Sequence, residues 1–167
     1  TDQVSNADWS DVTSVGDFSA YENFSGLKLE LKTTSLRIER GEKFEILADD
    51  TEVKVHQGGD ILYVTEERDW FDWFDGGQLK IRLPEGKKLT EFILDAGAGK
   101  VEVDGLHAEK LDLSLGAGRV ELQNVVATSE AKIDGGAGYL SLSGSSLKDL
   151  DLDMGAGKVE IEAELLG

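Results

Sequence analysis

Gly-Ala-Gly occurs four times in the second half of the chain, and its first glycines, Gly97, Gly116, Gly136 and Gly155, stand 19, 20 and 19 residues apart. The flanks repeat with the motif. Five, three and one positions ahead of it stand Phe92, Leu94, Ala96; Leu111, Leu113, Leu115; Ala131, Ile133, Gly135; and Leu150, Leu152, Met154. All the residues between them except Ile93 are polar. A period of two is the signature of a strand with one buried face. After the motif, Val101, Val103; Val120, Leu122; Leu140, Leu142; and Val159, Ile161 alternate with polar residues, but the phase has moved by one. An uninterrupted strand cannot change phase without sending its side chains to the wrong face. The motif must therefore turn the chain or insert a residue, which glycine tolerates because it adopts positive φ and allows close backbone approach. Gly97, Gly99, Gly116, Gly118, Gly136, Gly138, Gly155 and Gly157 are read as structural corners.

A strand–corner–strand unit of this length cannot bury its apolar face alone, whereas a stack of such units can. Each coil would lie about 4.8 Å from the next and pair with it through parallel ladders, so that equivalent residues form columns. The remainder of each coil supplies a second corner and a return path, with Leu106, Val125 and Leu147 pointing inward. The expected fold is all-β: a single-stranded β-helix or β-solenoid with 19–20-residue coils, degenerate N-terminal coils and little or no helix.

Residues 27–47 read as a degenerate coil, with Thr33, Thr34 and Ser35 near the Gly-Ala-Gly position. Three further strands follow in "EVKVHQ", "DILYVTEE" and "QLKIRLP", punctuated by Gly58-Gly59 and Gly76-Gly77. The reading is one continuous domain: an N-terminal cap or loose segment over 1–26, degenerate coils over 27–91 and regular coils over 92–167. The last residues stop where another coil should begin, so either further coils follow or Leu165 and Leu166 form an unusual cap.

Composition excludes several function classes. The formal charge is −17, from 17 Lys plus Arg against 34 Asp plus Glu, which opposes nucleic acid and anionic membrane surfaces. There are no cysteines, hence no disulfides or thiol nucleophiles. No apolar run reaches the roughly 18 residues of a membrane-spanning helix. The chain opens on Thr1 with no initiating Met, and membrane contact is expected only through an N-terminal anchor upstream of it.

The stretch "LKIRLPEGKKLTEFILDAGAGKVEV", followed by units of the "LDLSLGAGRVEL" type, resembles the bacterial putative-adhesin domain of unknown function. The resemblance covers about residues 17–167. It implies a right-handed β-solenoid, an extracytoplasmic or cell-surface location, membrane anchoring in the full-length protein, and a non-catalytic adhesin-like or envelope-scaffold role. It supplies no catalytic residues.

The segment "RDWFDWFDGG", residues 68–77, places Trp70, Phe71, Trp73 and Phe74 between two strands. These four are the candidate partner-binding residues, since amphipathic aromatics dominate interface hot spots. The plain alternative is a loop folded over the solenoid to seal it; insertion at a membrane interface is opposed by Asp69, Asp72 and Asp75. The expected partner is an envelope glycan or protein, with end-to-end self-association as a further mode. No cofactor is implied, and no metal. Asp95, Asp134 and Asp153 recur, but a calcium roll would need Asp where Val101, Val120, Leu140 and Val159 stand. The basic and acidic columns of Lys100, Arg119, Lys158 and Glu102, Glu121, Glu160 are read as solvated pairs. The alternative function is a carbohydrate-active β-helix enzyme of the polysaccharide-lyase kind. It would need a basic cleft, and the arginines at 37, 40, 68, 82 and 119 are scattered in sequence. Neither His56 nor His107 lies in a nucleophile motif.

Overall fold

The computed structural model describes residues 13–14, 23–49, 53–67 and 77–166. Nine strands account for most of them, and there is no helix among the described residues. β1 is Thr13–Ser14, β2 Gly26–Leu31, β3 Ser35–Gly41, β4 Glu45–Ala48, β5 Val53–Gly58, β6 Ile61–Glu66, β7 Gln78–Pro84, β8 Leu89–Lys148 and β9 Leu150–Leu166. β8 is 60 residues long because it winds through three successive coils without a break. The chain is an all-β solenoid.

Parallel register stacks the coils. Leu27, Leu29 and Leu31 lie against Phe92, Leu94 and Ala96. Ala131 through Leu166 continue the stack where β9 pairs β8. The inward residues at both flanks of each corner form one core, and Leu27, Leu29, Leu36, Ile38, Leu62, Leu79, Ile81 and Phe92 are fully buried. Each such aliphatic or aromatic side chain contributes roughly 1.5–3 kcal/mol on burial. Towards the C-terminal end the column residues shrink to Ala131 and Gly135. Met154 of the last coil turns into the space that a side chain at Gly135 would need.

The second corner also uses positive φ, at Gly105 (91°), Asn124 (55°) and Gly144 (57°). Leu106, Val125 and Leu147 are all buried there. A register shift between Ser143 and Ser145 changes the alignment, however, and pairs Leu147 with Leu165 and Ser145 with Ala163. Ser145 is buried, its hydroxyl accepting from the Val125 N–H at 3.1 Å and donating to the Ser143 carbonyl at 3.0 Å. The hydroxyl satisfies an amide that the bulge would otherwise leave unpaired.

The N-terminal half departs from an all-parallel stack. β6 and β7 form a coil parallel to β2 and β3. β4 and β5 run the opposite way, antiparallel to β7 and β6. The reason is connection length: Gly58 to Ile61 is too short to lead into a parallel neighbour, which needs a crossover, and Gly59 supplies the left-handed residue at φ 63°. In space β6–β7 lies between β2–β3 and β4–β5, and β1 pairs the outer side of β4. The returning strands cover the ladder edge that β6–β7 would otherwise expose. At the other end Val159, Ile161 and Leu166 are 36%, 40% and 44% exposed, so Leu166 does not close the stack; the side chain of Leu165 lies outside the described residues.

Candidate functional site

The corner column is the most regular feature on the molecule. Backbone pairing runs straight through each Gly-Ala-Gly, with the second glycine at φ 119°, 127°, 135° and 128° for Gly99, Gly118, Gly138 and Gly157. That residue absorbs the phase change. The first glycines face the carbonyl of the coil below. A Cβ on Gly97 would lie 2.8 Å from the Lys32 carbonyl oxygen, and one on Gly155 would lie 2.6 Å from that of Gly136.

Beneath the column, Lys32, Thr33 and Thr34 occupy the corner of the degenerate coil, where Ala98 N–H donates to the Lys32 carbonyl at 2.7 Å. The amides of Lys32 and Thr34 are met by a side chain rather than by the carbonyls of another Gly-Ala-Gly corner. The Glu66 carboxylate accepts from Lys32 N–H at 2.8 Å and Thr34 N–H at 3.2 Å instead. Glu66 is 2% exposed and ends the corner ladder as a side-chain substitute for backbone. Nothing in the sequence marks it, because "TEE" reads as a solvated strand end.

Trp70, Phe71, Trp73 and Phe74 lie outside the described residues. The two ends of their segment are in place. Glu66 underlies the corner, and the Gly77 carbonyl accepts from Ser35 N–H at 2.9 Å. In chain order the aromatic segment lies between Glu66 and Gly77, which flank the first corner of the β6–β7 coil.

The face after the first corner carries a ladder of charges. Glu45, Arg82, Glu39, Arg37, Glu102, Lys100 and Glu121 are linked in that order by ion pairs of 2.6–3.7 Å. Of the columns read from the sequence as solvated pairs, Lys158 and Glu160 are exposed, yet the side chains of Lys100 and Glu102 are only 10% and 8% exposed. Stacking explains the difference: Arg37 lies in register with Glu102 and pairs with it across the coils at 2.8 Å, and Lys100 reaches Glu121 at 3.7 Å. Burial pushes the Glu39 carboxyl up, but hydrogen bonds from Arg82 and Arg37 outweigh it and hold the group below its ordinary range. Further along, the Arg119 guanidinium sits 4.3 Å from the Tyr139 ring centre, and Tyr139 donates to Glu160 at 2.6 Å. That hydrogen bond raises the Tyr139 pKa and, with Lys158, lowers that of Glu160.

The arginines scattered in sequence are thus gathered in space. Arg37 and Arg82 share Glu39, and Arg40 emerges beside them at the second corner, where its NH1 donates to the Pro84 carbonyl at 2.8 Å. Burial lowers the Arg40 pKa and Glu85 opposes this. A groove of about 660 Å³ opens there, with His107 on its rim. His56 lies at the other end, stacked on Tyr63 at 5.2 Å. Asp95, Asp134 and Asp153 stand exposed on the face before the first corner. Among the described residues no group of His, Asp and Glu side chains is arranged to hold a metal ion. No helix among them is long and apolar enough to cross a membrane, which leaves β-barrel spans unaddressed.

Residues 22–164 match the model of the Toastrack DUF4097 family. The chain belongs to that family. This Toastrack chain also resembles a solved putative cell adhesion protein from Clostridium sporogenes, with a TM-score of 0.62 and 14% identity over 92% of this chain and 97% of the other. A putative adhesin from Bacteroides fragilis matches with a TM-score of 0.37 and 12% identity, over 90% and 95% of the two chains. At such identities the likeness to the first concerns the fold. No curated protein matches the sequence.

Proposed function

We propose that this Toastrack domain is a non-catalytic module of the bacterial cell surface, extracytoplasmic and anchored, that recognises or scaffolds an envelope component. The observation that carries the reading is the charge ladder. A lyase needs a cluster of arginines to meet a substrate carboxylate, and of the three that the fold gathers, Arg37 and Arg82 are already held by Glu39, Glu45 and Glu102, which leaves Arg40 alone beside acidic neighbours. The names of the Clostridium and Bacteroides neighbours support an adhesive role. Partner contact is assigned to Trp70, Phe71, Trp73 and Phe74, because four aromatics among the polar and small residues of 68–77 have the composition of an interface hot spot.

The test is retention of the fluorescently labelled domain on intact bacterial cells and on isolated envelope, compared with a Trp70→Ala/Trp73→Ala variant of unchanged melting temperature. Retention by the parent and loss in the variant is the expected result. Equal retention of both sinks the aromatic assignment, and turnover of polysaccharide by the parent sinks the non-catalytic reading.

A further inference from the structure

The second corner is closed along the regular coils and open at one place. β9 stays paired with β8 through that corner, to Lys148 against Leu166. Between the degenerate coil and the first regular coil the ladder stops early. β3 pairs β8 from Leu36–Val101 only as far as Ile38–Val103, yet it stays with β7 to Gly41–Pro84 on its other side. β3 follows β7 into the Pro84–Lys87 turn, where Lys87 N–H donates to the Pro84 carbonyl at 3.1 Å and Gly86 takes φ 81°. The two coils separate beyond Ile38 and Val103, and this opens the groove of about 660 Å³. That volume falls within the roughly 300–1,000 Å³ of small-molecule sites.

The groove's polar groups are held by neighbours. Arg40 occupies an inward register position but leaves the interior beneath Gly105, where an added Cβ would stand 2.9 Å from its Cγ. Its guanidinium is fixed by the Pro84 carbonyl, and among the described residues no carboxylate lies at ion-pair distance from it. On the facing wall Asp104 Oδ1 accepts from Asn124 Nδ2 at 3.0 Å, and Asn124 is itself held in a left-handed conformation. Arg37 and Glu39 are committed to the charge ladder. What remains is a fixed donor, Arg40, a fixed acceptor, Asp104, and the exposed carboxylate of Glu85, with His107 at the edge.

We propose that this groove binds a short neutral oligosaccharide. An anion entering it would meet Asp104 and Glu85 within a chain of net charge −17, and a cation would meet Arg40 and Arg37. A sugar hydroxyl donates and accepts at once, so it suits walls on which donors and acceptors interleave. None of the residues that line the groove belongs to the aromatic segment, and the proposal holds whether or not that segment binds anything.

The experiment is amide-resolved NMR titration of the full chain with cellotriose, maltotriose and chitotriose, and with trigalacturonate as the acidic comparison. Each is taken to about 10 mM, where even a site of ~1 mM Kd is mostly filled. Saturable shifts centred on Asp104–Ala108 are expected with at least one neutral trisaccharide. They should weaken about tenfold or more in both Arg40→Ala and Asp104→Asn, as loss of a charge-assisted hydrogen bond predicts. Asp104→Asn is the milder change and keeps the test valid if Arg40→Ala misfolds. Trp70→Ala/Trp73→Ala should leave these shifts unchanged, which separates this site from the aromatic one. Silence of Asp104–Ala108 with all three neutral sugars, tighter binding of trigalacturonate, or undiminished binding by Asp104→Asn overturns the proposal.

Discussion

At the scale of single residues, two glycines in each triplet do different work. The first only admits a carbonyl from the coil below; the second takes a φ that side chains avoid and, at Gly118, Gly138 and Gly157, admits a carbonyl as well. Gly138 combines both demands, since its φ is 135° and an added Cβ would overlap the Gly118 carbonyl oxygen. Gly138→Ala should therefore cost about 3 kcal/mol or more, the range reached when backbone strain and overlap coincide. The neighbouring Ala137 is exposed, and Ala137→Ser should stay within about 0.5 kcal/mol. Urea midpoints of the two variants decide this, and similar losses would disprove the requirement for glycine at position 138. Glu66 offers a second check. Glu66→Ala removes the acceptor of two corner amides and should cost about 1–3 kcal/mol, whereas Glu66→Gln keeps an acceptor and should cost less. Equal losses for Ala and Gln would show that the carboxylate's charge matters and not its hydrogen bonds.

At the scale of elements, the charge ladder joins strands far apart in sequence, such as Arg37 on β3 and Glu102 on β8. Its acid response follows from Glu39, whose folded pKa lies below the ordinary value of 4.5. The stability from this group is fully present above pH 4.5 and is lost as pH falls through the lower folded value. Glu39→Gln should thus be less stable than the parent at neutral pH by about 1–2 kcal/mol. The two urea midpoints should converge as the parent's carboxyl protonates. A gap that stays constant into acid would place the effect in packing. The ladder also shows what alternation can and cannot convey. Period two marked β2, β3, β5, β6 and β7 because burial on one face selects apolar residues whatever lies above or below. Strand direction leaves no such trace: "EIL" in β4 and "VKVH" in β5 read identically in either sense, so their reversal was invisible. Pairings such as Arg37–Glu102 were invisible too, because they depend on which coil stacks on which. The Gly-Ala-Gly phase change was legible because it breaks the alternation itself. Arg40 and Asp104, on opposite walls of the groove, carry no motif and meet only through the early end of the β3–β8 ladder.

At the scale of the whole molecule, a chain of net charge −17 repels itself, while its short ion pairs are shielded by stacking. Salt should act mainly on the long-range repulsion. At about 0.5 M NaCl the Debye length is roughly 4 Å, longer than the ladder contacts and shorter than most separations between coils. The melting temperature should rise by about 2–4 °C, equivalent to ~1 kcal/mol for a protein of this size. A fall would mean that the ladder outweighs the net repulsion. The position of β6–β7 sets a different constraint. It lies between β2–β3 and β4–β5 although it is synthesised after both. A chain emerging residue by residue, from a ribosome or through an export pore, must hold its first turns ajar until Pro84 has appeared. Each later turn can settle as it arrives. The interval most exposed to proteases and to clumping therefore falls early in delivery, and a helper that shields the nascent chain would be needed there and nowhere after.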